Sequence, residues 1–293
     1  MKLNKYEKNS LEEISKWEKE KHRGFHKKVL DATSKPVDYL IKKIGPKKLR
    51  AFENTIEKTV KNLLYTATYT VNPEELIKRA HAHGVIIKDL SELKRCDLSL
   101  LDNCNRKHIN FHERASTIQG AAAGLGGVLV ATMDLTAVLV QAFHMIQEIA
   151  FCYGYDPNEI IEKEIILRIV EIGVGGSEIK VKALEELELL RKIESEARKK
   201  TTSKKGVTVL GSKALEEYVE HLTTNLLVRL VPRALPVVSM VVSAHSNHEI
   251  MEHSGQAAFM VYRKRFIERK KEMAARRSHG YNKKKGGSNN GDS

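Results

Sequence analysis

Two stripes in this sequence carry residue types at the spacing that metal ions use. In CDLSLLDNCNRKHINFHERA, residues 96–115, Cys104, His108 and His112 recur every four residues. On a helix they share one face, and thiolate and imidazole are donors that zinc favours. In AHSNHEIMEHSG, residues 244–255, His245, Glu249 and His253 form one stripe, and His248 and Glu252 an adjacent one. Hydrolytic zinc helices read HExxH or HxxEH, and neither stripe has that spacing. Nor does the interval from Cys96 to Cys104 fit a common zinc knuckle. The first stripe therefore reads as exposed polar positions on an amphipathic helix. His245, Glu249 and His253 remain candidate metal ligands, with an acid-sensitive His/Glu surface as the alternative. No cofactor is expected.

A third constellation sits on the most apolar stretch, VLVATMDLTAVLVQAFHMIQEIAFCYGYD, residues 128–156. At ~100° per residue, Asp134, Gln141 and Glu148 fall within roughly 40° of one another, with His144 about 80° from Asp134. A polar stripe on a buried helix needs partners. Either neighbouring helices satisfy it by hydrogen bonds, or it lines a site for a ligand, an ion or a proton. Asp134, His144 and Glu148 are the candidate catalytic groups. Joined to the 245–253 stripe across a bundle, they could hold two metal ions and carry hydrolysis.

The segment leading into that helix, QGAAAGLGGVLVATMDL, residues 119–135, is rich in glycine. A phosphate cradle needs a strand before the glycines, and RKHINFHERASTI reads as helix. The stretch has neither a Walker lysine nor GxGxxG, and GVTVLGSK, Gly206–Lys213, carries Ser-Lys where Lys-Ser/Thr is required. Gly120, Gly124 and Gly127, four and three residues apart, fit a close helix crossing, or a break that lets a new helix start near Val128. From Ala115 to His144 the only charge is Asp134. About 20 apolar residues can span a bilayer, but an Asp at mid-span costs roughly 2.5–3.5 kcal/mol. A buried core helix, a membrane-docked helix and a span are the three placements, and the small residues favour the first.

Helical punctuation surrounds these stretches. Leu49, Phe52, Ile56, Val60, Leu63 and Ala67 recur at helical spacing, for a helix ending near Val71. NPEEL follows, with Asn72 as N-cap, Pro73 at N1 and Gly84 as the stop. DPNEI repeats the pattern, with Asp156 as cap and Pro157 opening a helix that runs to Gly173–Gly176. SEIKVKALEELELLRKIESEARKK, charged around a Leu/Ile stripe, reads as a solvated, protruding hairpin arm. Residues 201–211 form a loop, Ser212 caps the next helix, and Pro232 and Pro236 break it. The fold class expected is all-α, a multi-helix bundle with a glycine-rich, highly apolar central helical segment. Its parts are a basic amphipathic N-terminal helical segment (1–50), a helical domain (51–272) and a disordered basic tail (273–293).

Charge bounds the partners. The net +13 divides into +8 for residues 1–50, +8 for 263–293 and −3 between them. Basic ends suit an anionic membrane surface, a contact that salt weakens, or serve solubility alone. Specific nucleic-acid binding is not expected, because no aromatic residues are set for stacking in a recognisable module. Three cysteines without CxxC, and an N-terminus without an apolar core, lead us to expect a reducing, cytoplasmic location.

GAAAGLGGVLVATMDLTAVLVQAFHMIQEIAFCYGYDP resembles the signature of the EcsC family: a glycine-rich segment, then DLP, R.IQEIA and YGYD. LPVVSMVVSAHSNHEIMEHSGQAAFMVYRKRF is similar to that family's closing segment. The resemblance covers about residues 95–270 and puts Gly120, Gly124, Gly127, Asp134, Gln147, Glu148, Tyr153, Gly154, Asp156, Pro236, Asn247 and Arg265 on family positions. Thr136 stands where the family usually has Pro, His144 where it usually has Arg, and Ser239–Met240 where it has Gly-Ala; the second change weakens a family-wide cationic site. The family has no established activity, and its name comes from a bacterial gene cluster that also encodes an ABC transporter. The resemblance implies an accessory protein at the cytoplasmic face of a membrane, touching anionic lipid or a membrane-protein partner. The alternative is a metal-dependent hydrolase.

Overall fold

The computed structural model describes residues 3–21, 42, 45–63, 73–82, 84–123, 127–199, 218–226, 229 and 239–286, and no strand occurs among them. The all-α expectation holds. Eight helices are labelled here: α1 (Lys5–Lys19), α2 (Pro46–Lys61), α3 (Pro73–Ala82), α4 (Leu98–Ala123), α5 (Gly127–Cys152), α6 (Ile160–Val174), α7 (Ser177–Lys199) and α8 (Ser239–Gly286), with a 3-10 turn at Leu90–Arg95. A short unlabelled helix occupies 218–226. The long α8 is the pillar, packed on α4, α5 and α6 and touched by α1.

The apolar pattern dictates which helices lie inside. On α5, Leu135, Val138, Leu139, Ala142, Phe143, Met145, Ile146, Ile149 and Ala150 are all buried. Nearly every residue of α6 from Ile161 to Val174 is buried as well. Helices this predominantly apolar have little face to give to water, so they take the centre of the bundle. Among the described residues, Thr132–Cys152 is the one helix long and apolar enough to cross a membrane, and 72% of its 18-residue apolar stretch is buried inside the protein. α2 adds a narrower stripe through the expected Phe52, Ile56 and Val60. The expected helix ends at Asn72 and Val71 lie outside the described residues, as do Gly124, Ser212, Pro232 and Pro236.

Helix starts and stops follow local chemistry, with departures. The described part of α5 opens at Gly127, and the helix ends in a left-handed turn at Gly154 (φ 77°). There Tyr155 N–H reaches Ala150 O at 2.9 Å. A Cβ at Gly154 would sit 2.7 Å from Lys94 Cγ, so both conformation and space require glycine. Asp156 does not cap α6. Its Oδ1 accepts from the Asn158 backbone and side-chain N–H groups at 3.0 and 2.9 Å, and the helix starts only at Ile160 with Glu159 in the cap position. A local turn closed by the Asp side chain competes with the helix here.

Two further expectations change. α7 is no protruding arm: Lys180, Ala183 and Leu187 are buried in its seam with α6. Arg191 pairs with Glu268 at 3.4 Å, and Glu194 with Arg265 at 3.0 Å, tying its far end to α8. Charge on this helix is matched across an interface, which the sequence of one helix cannot display. The basic stretch after Arg263 has no proline, and α8 continues through it to Gly286, past the boundary expected at 272. Of the six Lys and Arg from Arg263 to Lys271, five are held internally: Arg263 by Glu13, Lys264 by Glu18, Arg265 by Glu162, Arg269 by Tyr153 O and Lys270 by Glu7. Three of those partners lie on α1, whose Ile14 and Trp17 join the core.

Candidate metal site

α4 and α5 cross face to face, and the crossing joins three imidazoles to one carboxylate. His108 Nε2 meets Glu148 Oε2 in a very short contact, and His112 Nε2 lies 3.0 Å from the same oxygen. His144, one turn before Glu148 on α5, puts Nε2 at 3.3 Å from Oε1. The rings of His108 and His112 stand edge to face at 5.4 Å, and those of His112 and His144 at 6.0 Å. His108 opposite Glu148 and His112 opposite His144 fix an antiparallel register: four residues forward on α4 match four back on α5. Helical periodicity on each side places the donors, and the packing of α4, α5 and α8 holds them together.

Glu148 is the hub, with its side chain only 3% exposed. Burial alone pushes its carboxyl up, but the three histidine hydrogen bonds outweigh burial and hold it well below the usual carboxylate range. One ligand atom each from His108, His112 and Glu148 lies within 4.8 Å of the others. That spread suits a single cation bound at about 2.0–2.2 Å by nitrogen and oxygen. His144 is the most exposed of the three histidines, at 29%, so the cluster opens to solvent on its side.

The sequence pointed at these residues separately and assigned their partners wrongly. His108 and His112, read as exposed polar positions, have side chains only 14% and 13% exposed and face Glu148. Asp134 does not join His144 and Glu148. It lies 14 residues from Glu148 on one helix, about 21 Å along the axis. Its carboxylate instead accepts from Asn247 Nδ2 at 3.0 and 3.1 Å, and both residues are buried. Gln141 is half-buried between the two. His245, Glu249 and His253 do not assemble as ligands: Glu249 pairs with the fully buried Arg229 at 2.9 Å, and His245 is exposed. Burial lowers the His253 pKa. Arg229 also donates to Val174 O at 3.0 Å, anchoring the end of α6.

Other signature positions take part in packing between helices. Tyr153 donates to Asp102 at 2.7 Å, and Arg265 holds Glu162 at 2.8 Å while stacking over Tyr155 at 4.0 Å. Burial raises Asp102, against the opposing hydrogen bond from Tyr153 and the charge of Arg263. Gln147 is buried on α5, Gly120 lies within α4, and Pro236 is outside the described residues. The signal that could have revealed the cluster was present: CxxxHxxxH before the glycine-rich stretch and HxxxExxxC after it. Only an antiparallel pairing at this register turns the two stripes into one site.

Comparison with known proteins adds a family and no activity. The uncharacterized protein YdbA of Bacillus subtilis (strain 168) is 26% identical over 270 residues, covering 89% of this chain and 93% of that protein. No solved structure matches. The model of the EcsC protein family matches residues 8–267, from within α1 to the buried middle of α8, and the chain belongs to that family.

Proposed function

We propose that this protein is metal-dependent, holding a divalent transition-metal ion between α4 and α5. The observation that carries this reading is the convergence of His108, His112 and Glu148, with His144 on the solvent side. Two or three imidazoles with one carboxylate suit zinc, iron or manganese. A zinc ion held there with a solvent-facing position would lower the pKa of its water to about 7 and supply a hydroxide nucleophile. Hydrolysis is therefore the reaction class proposed. Glu148 and His144 keep the roles expected of them, and α4 supplies the other ligands in place of α8.

This reading is preferred to an accessory role at a membrane face. The apolar helix 132–152 is mostly buried in the protein, and five basic residues of α8 already have internal partners. Flotation with anionic vesicles that weakens with salt would favour the membrane role; failure to float at any ionic strength would remove it. The metal reading is tested by elemental analysis of protein purified without added metal. Stoichiometric zinc, iron or manganese is expected, falling sharply in H108A/H112A. Protein that binds none of these ions, and whose melting temperature ignores chelator, would overturn it.

A further inference from the structure

The crossing that gathers His108, His112 and Glu148 has a covered side and an open one. Gly255 brings α8 against the covered side, where an added Cβ would lie 2.8 Å from Ile109 Cγ2 and 3.2 Å from Met145 Cε. Ile109 follows His108 and Met145 follows His144, so α8 seals the cluster from that direction. At ~100° per residue, Phe111 and Ala115 fall on the opposite side of the α4 histidine stripe from Ile109. By the same turn, Met133 and Val140 fall on the opposite side of the α5 stripe from Met145. All four are exposed, Phe111 to 67% and Met133 to 65%. The Phe111 ring stands edge to face with His112 at 5.6 Å, and Val140 is one turn from His144.

Scattered exposed apolar side chains are ordinary, whereas a run of them that starts at a reactive centre marks what the centre receives. Met133, Ala137, Val140 and His144 lie within roughly 60° of one another on α5, and the run is roughly 16 Å long. The one charge between Val130 and His144, Asp134, is turned inward to Asn247. A phosphate ester would need cations aimed at its oxygens. This run offers none, and the exposed Lys107 and Arg114 stand further round α4 than Phe111. We propose that the substrate is a neutral acyl compound, an ester or amide, whose aliphatic chain lies along Phe111, Val140 and Met133 with its carbonyl on the His144 side of the ion. The inference rests on the metal reading above and assigns the substrate class of that site. Water adds its oxygen to the carbonyl carbon as the bond to the ester oxygen or amide nitrogen breaks. The leaving group takes up one proton of that water, and the carboxylic acid formed releases the other to solvent.

Chain length is the variable that tests this. Full-length protein loaded with Zn2+ is assayed with 4-nitrophenyl acetate and 4-nitrophenyl octanoate. Each methylene drawn from water strengthens binding about fourfold, so kcat/KM for the octanoate should exceed that for the acetate by about tenfold or more. Turnover should stop in excess chelator. In F111S/V140S the ratio of the two kcat/KM values should fall towards one, and a ratio within one protein is unaffected by a smaller folded fraction. Zinc bound with no turnover of either ester, turnover that survives chelator, or no preference for the longer chain overturns the inference and leaves metal binding standing. A preference that F111S/V140S keeps intact puts the chain elsewhere and overturns it as well. Flotation of the unmodified protein with neutral phosphatidylcholine vesicles, lost in F111S/V140S, would make the run a lipid-docking surface and overturn it too. Protein that binds no zinc overturns both this inference and the metal reading.

Discussion

Asp134 and Asn247 provide the sharpest separation of structural polarity from site chemistry. Asp134 is 4% exposed and Asn247 not at all, and the amide donates to both carboxylate oxygens at 3.0 and 3.1 Å. D134A removes a charged acceptor and leaves a buried neutral amide less satisfied, a loss of about 1–3 kcal/mol. N247A leaves the carboxylate in apolar surroundings without that donor, and desolvated charge costs more than a desolvated amide, so about 3 kcal/mol or more is expected. In D134A/N247A both groups are gone, and the loss should fall short of the summed single losses by about 1.5–3 kcal/mol, the worth of a hydrogen bond to a charged group. Urea denaturation at neutral pH measures all four corners of this cycle. Elemental analysis of D134A runs beside it, and its metal content should match that of the unmodified protein. Additive losses, or metal lost with Asp134, would refute the assignment of this carboxylate to helix pairing.

Two other perturbations test the packing that supports the site. A Cβ at Gly173 would overlap Ser254 Oγ outright and lie 2.9 Å from Ser254 Cβ, so G173A should cost about 3 kcal/mol by forcing α6 from α8; S254G, itself costing about 1 kcal/mol of helix propensity, should recover most of it in the double variant, as read by denaturant midpoints. Lys180 is held near pKa 8 by burial, against the pull of Glu20 and Glu18, while an unfolded lysine titrates at 10.5. Between those values the unfolded chain binds the proton and the native one does not, so stability should rise with pH across that window relative to K180M. A flat difference between the two proteins from pH 8 to 10.5 would contradict the burial of this amine against Trp17 and the end of α1.

Much of the fold was legible because its signals are local. A mostly apolar run identified α5 as a core helix, the Phe52/Ile56/Val60 stripe came from spacing, and the Gly84 stop from the grammar of helix ends. Errors arose where two helices share charge. The sequence of α7 looks solvated because Glu188, Arg191 and Glu194 look like surface residues, yet Arg191 and Glu194 meet Glu268 and Arg265 of α8. Likewise the basic stretch 263–293 suggested a free cationic end. Its first part lies against α1, where Glu7, Glu13 and Glu18 complement it. An isolated helix shows how its own charges are spaced, and never which partner removes them from water.

The site shows the same division between stripe and partner, and residue 144 carries its chemical consequence. Periodicity put His108 and His112 on one face and His144 and Glu148 on another, but register is a property of two helices together. Glu148 is buried and needs cationic or hydrogen-bonding partners wherever this packing is kept. At position 144 the EcsC signature usually has arginine, whose guanidinium can satisfy such a carboxylate but has no lone pair to give a metal. This chain has histidine there, with Nε2 3.3 Å from Glu148 and able to serve as donor or ligand. Arginine would make the same crossing a closed ion pair. Histidine keeps the carboxylate partnered, and its imidazole nitrogen has a lone pair that could bind an ion where a guanidinium has none.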